Sequence, residues 1–257
     1  MSLARIWTVA TNGFREVIRD RIFYFVGFFA LLLAIALRLL PEISVGTHEK
    51  IFLDLGLGAM ALLGAIVAIF VGTGLINKEI EKRTVLVLIP KPLSRAELVL
   101  GKHLGLSAVL AVMLAIMTAI YFTLLSLSKI AYPLNSILVS QLFLLIELAL
   151  IIAVAITFGV FTSSILATLF SFGIYLMGHI SSNLLELGAL SKNATVESIT
   201  KAIYLILPDL ERLNLKNQAV YGLLPDSSQL FSNALYGILY AALLLSIAIL
   251  IFSRREF

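Results

Sequence analysis

The chain contains no cysteine among its 257 residues, which excludes a disulfide framework and any thiolate metal site. Its three histidines, His48, His103 and His179, are scattered and give no cluster with metal-ligand spacing. Charge is scarce as well, at 13% of residues, where a soluble domain carries about 25%. There is no Gly-x-x-x-x-Gly-Lys-Ser/Thr phosphate loop. The nearest fragment, Gly101-Lys102-His103, lacks the upstream glycine and the hydroxyl ligand. The chain is therefore not expected to be an enzyme on its own, nor to bind a cofactor or metal. No serine, histidine and carboxylate constellation is legible, which argues against an intramembrane hydrolase.

Apolar residues fill the space that charge leaves. They make up 60% of the chain, with a mean hydropathy of +1.05, against about 45–50% apolar in soluble domains. Only a helix or a closed barrel satisfies its backbone inside lipid, and a helix needs roughly 20 apolar residues to cross. About six such runs occur, near 22–40, 52–76, 104–127, 134–160, 162–185 and 229–252. None alternates with the period of two that a membrane barrel requires. The expected fold is an all-α membrane protein: six transmembrane helices in one transmembrane domain over 1–257, with an N-terminal interfacial helix and a helical insertion between spans five and six.

The placement of charge orients the bundle. Basic residues close to span ends mark the cytoplasmic side. Arg5, Arg15, Arg19 and Arg21 precede the first span, six basic residues from Lys78 to Lys102 lie between the second and third, and Arg254 and Arg255 follow the last. Lys50 and Lys129 are the basic residues of the short loops opposite. Both termini are expected in the cytoplasm, as an even number of spans requires. The run Arg15–Arg21 precedes an apolar stretch too long for a cleavable signal, so the first span itself would direct insertion.

Residues 1–21 carry Leu3, Ile6, Trp7, Ala10, Phe14, Val17 and Ile18 at helical spacing with arginines elsewhere. This reads as a helix lying in the membrane interface, or one that packs on the cytoplasmic loops. Gly64, Ala68 and Gly72 recur every four residues, a spacing that lets helices approach closely, and Gly101 and Gly105 repeat it. The long connection 186–228 is expected on the external side. Within it Ala194–Leu207 has the spacing of an amphipathic helix too interrupted to span, either capping the bundle or dipping back into the membrane.

The segment 77–102 is dense in charge: Glu79, Glu81, Lys82, Arg83, Lys91, Arg95, Glu97 and Lys102. Pro90 and Pro92 end any helix that continues from the second span. Ser94 stands three residues before Glu97, the spacing of a capping box, so a new helix should start at Arg95 and run through Gly101 and Lys102 into the third span. A stiff elbow that carries charge suits docking of a polar partner.

The pattern Glu79-Ile80-Glu81, Thr84, Pro90-Lys91-Pro92-Leu93-Ser94-Arg95 and Gly101-Lys102 resembles the signature loop of type-2 ABC exporter permeases, most closely the branch annotated with multi-copper enzyme maturation. Arg83 stands where glycine is usual. The resemblance implies a permease subunit whose 77–102 loop forms a coupling helix in a cleft of a separate ATP-binding subunit, with ATP and Mg held on that partner. It implies Glu79, Glu81, Thr84, Pro90, Pro92, Leu93, Ser94, Arg95, Gly101 and Lys102 as the partner-binding set. It further implies a second permease copy, contact with membrane lipid, no nucleic acid, and residence in a prokaryotic inner membrane. The family moves ions, lipids, polysaccharides, peptides and drugs, so the resemblance names no substrate.

Glu147, midway along the fourth run, is an intramembrane acid and by default a functional candidate. It could bind a cation, exchange a proton or hydrogen-bond a neighbouring span. His179 and Asn183, one turn apart in the fifth, read as a mutually satisfied polar pair. Two alternatives to the exporter stay open: an ion-coupled carrier using Glu147, and a non-transporting tether for a soluble ATPase.

Overall fold

The computed structural model describes residues 2–20, 22–44, 46–81, 94–191 and 193–254, and the side chains of all of these except 18–20, 22 and 76–81. Among the described residues every regular element is a helix: α1 (Leu3–Asp20), α2 (Ile22–Ile43), α3 (His48–Glu81), α4 (Arg95–Leu127), α5 (Leu134–Phe161), α6 (Ser164–Leu190), α7 (Ala194–Ile206), α8 (Lys216–Tyr221) and α9 (Ser227–Arg254), with a 3-10 turn at Leu210–Arg212. Six of them, α2 to α6 and α9, are long and apolar enough to cross a membrane. Thr162 and Ser163 alone separate α5 from α6.

The bundle is built around α5. A helix that is apolar on all sides can face lipid or protein, and in α5 the run Ile151–Thr157 is buried in protein at every position. Its main neighbours are α3, α9, α4 and α6. The α3 contact is close because α3 presents glycine: a Cβ on Gly64 would stand 2.6 Å from a Leu148 methyl, and one on Gly72 2.9 Å from Ala155. The spacing Gly64, Ala68, Gly72 is thus a packing face. The Tyr121 hydroxyl of α4 donates to the Leu53 carbonyl of α3 at 2.9 Å, and the Thr73 and Thr168 hydroxyls of α3 and α6 lie 2.9 Å apart.

One end of the bundle gathers α1, the start of α4 and the end of α9; it is called the terminal face below. Helix α1 packs chiefly along α4. Its apolar residues, which the sequence places on a single face, divide in two. Ile6, Val9, Ala10 and Val17 are buried, whereas Leu3 and Trp7 remain 85% and 74% exposed.

The connection between α6 and α9 does not stay at the opposite face. Helix α7 folds back along α6, with Thr200 against Gly188. It ends where the Ile206 carbonyl accepts from the Tyr240 hydroxyl at 2.6 Å, and Tyr240 is near the middle of α9. Leu210 packs on Gly178, near the middle of α6, and Leu213 on Gly237. The chain then climbs through α8 to Tyr221, whose ring takes the Lys50 ammonium 4.2 Å from its centroid. The 13 residues of α7 rise about 20 Å, enough to reach mid-bundle and too short to cross. Its exposed Leu205 and Ile206 fall at the deep end, while Glu197 and Lys201 pair at the shallow end, 2.6 Å apart.

Candidate functional site

The first part of the site is the start of α4 at the terminal face. Ser94 caps the helix: its hydroxyl accepts from the Glu97 N–H at 3.1 Å. The Glu97 carboxylate accepts in return from the Ser94 N–H at 2.9 Å. This is the reciprocal box that the Ser-x-x-Glu spacing predicts. Glu97 is nevertheless only 2% exposed, because it has a second task. Its other oxygen accepts the Ser2 backbone N–H at 2.7 Å, and Arg5 stands 4.0 Å away. One carboxylate therefore caps α4 and pins the start of α1.

The other described residues of the expected partner-binding set join this frame. Arg95 donates from Nη1 to the Phe252 carbonyl of α9, its guanidinium 5.5 Å from the Phe252 ring centroid. Gly101 and Gly105 are where α1 crosses α4: a Cβ on Gly101 would stand 2.6 Å from the Val9 side chain, and one on Gly105 2.7 Å from the Ala10 carbonyl. Lys102, largely buried, reaches Glu16 of α1 at 3.6 Å. Sequence assigned these residues to a partner; the structure also gives each an intramolecular contact. Thr84, Pro90, Pro92 and Leu93, and the side chains of Glu79 and Glu81, lie outside the described residues.

The second part is polar and lies at mid-bundle. Glu147, 2% exposed, faces His179 across the α5–α6 interface, with Oε1 3.3 Å from Nε2. Neither atom has any other partner. The His179 Nδ1 lies 3.0 Å from the Tyr175 carbonyl. A carbonyl only accepts, so Nδ1 carries a hydrogen. Nε2 is then either bare and facing a carboxylic acid, or protonated and facing a carboxylate. Both states hold a single proton between the two groups and are neutral together, as a buried pair requires. The expected pairing of His179 with Asn183 is not formed; Asn183 is exposed, and the histidine turns to the neighbouring span.

Two polar groups at this level were missed by sequence reasoning. Asp209, 5% exposed, accepts from Arg212 Nε at 3.0 Å and from the Tyr204 hydroxyl at 3.2 Å. Its backbone N–H donates to the Tyr236 hydroxyl at 2.9 Å, and the Arg212 guanidinium lies 5.0 Å from the Tyr236 ring centroid. The Arg212–Asp209 spacing of three was the available signal, but only the descent of α7 reveals its depth. No group of acidic residues and histidines suited to a metal ion occurs among the described residues.

Comparison with curated proteins returned no match. Against families, residues 7–257 match the one described as ABC-2 family transporter protein. The match covers α1 from Trp7 onward, all six apolar helices and the start of α4, and it does not reach the multi-copper enzyme maturation branch. Members of this family are permease subunits of ABC transporters and carry no ATPase motif of their own. The chain belongs to the ABC-2 family of transporter proteins, as an integral membrane permease subunit.

Proposed function

We propose that this chain is the membrane half of an ATP-driven exporter, worked by a separate ATP-binding subunit that docks on the segment 77–102 and holds the ATP and Mg. A second copy of the chain completes the translocation path, and both termini face the cytoplasm of a prokaryotic cell, in its inner membrane. The observation that supports this reading is the frame at the terminal face. A partner that pushes on the start of α4 pushes on α1 through Glu97 and Lys102, and on α9 through Arg95. Three helices that move as one body can pass the strain of a docked ATPase into the bundle, where three loose helices would absorb it.

The test is purification from native membranes in mild detergent, with co-purifying proteins identified by mass spectrometry. The expected result is a stoichiometric soluble ATPase, lost when residues 79–93 are scrambled while Ser94 and Glu97 are kept. An ATPase retained by the scrambled chain, or none across several detergents, overturns the reading. The Glu147–His179 pair favours a second one, an ion-coupled carrier. That reading requires transport by reconstituted chain without ATPase, abolished in Glu147→Gln. A non-transporting tether would bind the ATPase and move nothing in vesicles.

A further inference from the structure

A groove of about 960 Å³ runs between α1, α4, α5 and α9, within the range of roughly 300–1,000 Å³ for sites that take a specific small molecule. Small residues line it on two helices: Gly105, Ala108 and Ala111 on α4, and Gly237, Ala241 and Ala242 on α9. Such rows ordinarily draw helices into contact. Here α1 crosses the terminal end of the groove, with Leu3 and Trp7 forming part of its wall, and the space stays open.

We propose that this groove holds one acyl chain of a membrane phospholipid, from the leaflet at the terminal face. Its depth decides the occupant. Along α4 the lining runs from Leu100 to Ala111, a rise of about 17 Å, which is about the depth of one leaflet. A spanning helix of a second copy needs roughly 20 residues across both leaflets and would meet α1 lying over the entrance. Water is no alternative, because cavities lined by hydrocarbon stay dry. Trp7 stands at the mouth, where an indole is favoured beside headgroups. The chain so held would wedge between α1 and the bundle, so the lipid becomes a component of the frame that carries motion from α4 to α1.

Trp7 is the only tryptophan of the chain, so its fluorescence reports on this groove. Purified protein in maltoside micelles is titrated with phosphatidylcholine brominated along its acyl chains. Trp7 emission should fall and saturate at about one lipid per chain. In Ala108→Phe/Ala242→Phe, whose new rings fill the groove, the midpoint should rise by about tenfold, and native mass spectra should lose the retained phospholipid. Leu62→Phe, on the exposed face of α3, should change neither. Should the double variant not fold, Ala108→Leu alone is read by the same titration. Quenching that grows in proportion to lipid without saturating, alike in all variants, overturns the proposal in favour of ordinary surrounding lipid. Loss of a dimer on gel filtration with an unaltered lipid titration overturns it in favour of a second copy.

Discussion

If Glu147 faces His179 as a neutral acid against a bare ring nitrogen, replacing the acid by its amide should cost little, and replacing it by leucine should cost more. In Glu147→Gln the amide N–H₂ can donate to a bare His179 Nε2 across the 3.3 Å that now separate the groups, so the contact survives with neutral partners. Hydrogen bonds between membrane helices average about 0.6 kcal/mol and reach about 1.7, so the variant should stay within about 1 kcal/mol of the parent. Glu147→Leu leaves Nε2 buried and unpaired, at about 1–3 kcal/mol. His179→Leu strands the carboxyl at a similar cost. The Tyr175 carbonyl adds nothing to that figure, since it lies one turn back on the same helix and keeps its backbone bond. The double leucine variant removes both orphans at once and should cost less than the two single losses together, by a coupling of about 1–3 kcal/mol. The assay is denaturant unfolding in mixed micelles followed by circular dichroism. A Glu147→Gln variant as damaged as Glu147→Leu would refute the neutral form, because only an obligatory ion pair, whose breakage costs about 3–5 kcal/mol, is harmed equally by both. Additive single losses would refute the contact itself.

The other expectations concern packing and anchoring. Gly105→Leu drives a side chain into the Ala10 backbone and should lift α1 from α4 at about 1–3 kcal/mol. In this cysteine-free chain, Val9→Cys then becomes reactive to a maleimide that it otherwise resists, and unchanged labelling counts against the crossing. Tyr121→Phe removes the hydroxyl bonded to Leu53 and should cost about 1 kcal/mol in the same unfolding assay; no loss would mean that the bond is not formed in micelles. Asp209→Ala takes the acceptor from Arg212 and Tyr204 and should cost about 3 kcal/mol. It should also release the descending segment, read as faster hydrogen exchange of 207–215, and unaltered exchange would show that apolar packing of Leu210 and Leu213 suffices to hold it.

Hydropathy made the six spans legible, because long apolar runs in this chain have no other use. The start of α4 was legible to the residue, since the Ser94 and Glu97 capping box is a local rule and local rules survive folding. The small-residue faces were legible as surfaces, but their partners were not. Gly64 and Gly72 meet α5, whereas Gly101 and Gly105 meet α1, and spacing alone does not choose between them. Glu97 shows the limit clearly. Its capping role is written three residues away, and its hold on Ser2 spans 95 positions. His179 and Asn183 share a helical face, yet the histidine is taken by Glu147 across the interface, a contact that no periodicity along α6 contains. The course of 207–215 was hidden because α7 is short and interrupted. Its gradient, from a charged start to the apolar end at Leu205 and Ile206, was the clue to its descent.

The descent of α7 also sets an order of events during synthesis. A segment too short to cross, carrying Asp209 and Arg212 to mid-bundle, has no stable resting place in lipid by itself. The groups that receive it are Tyr236 and Tyr240, which leave the ribosome after it. The loop must therefore wait, outside the bundle or loosely held beside α6, until α9 has entered the membrane, and only then can it seat. A nascent chain halted before α9 should leave it open to a protease that the finished protein resists, and seating of this loop is then the last step of assembly, gated by the arrival of the final helix.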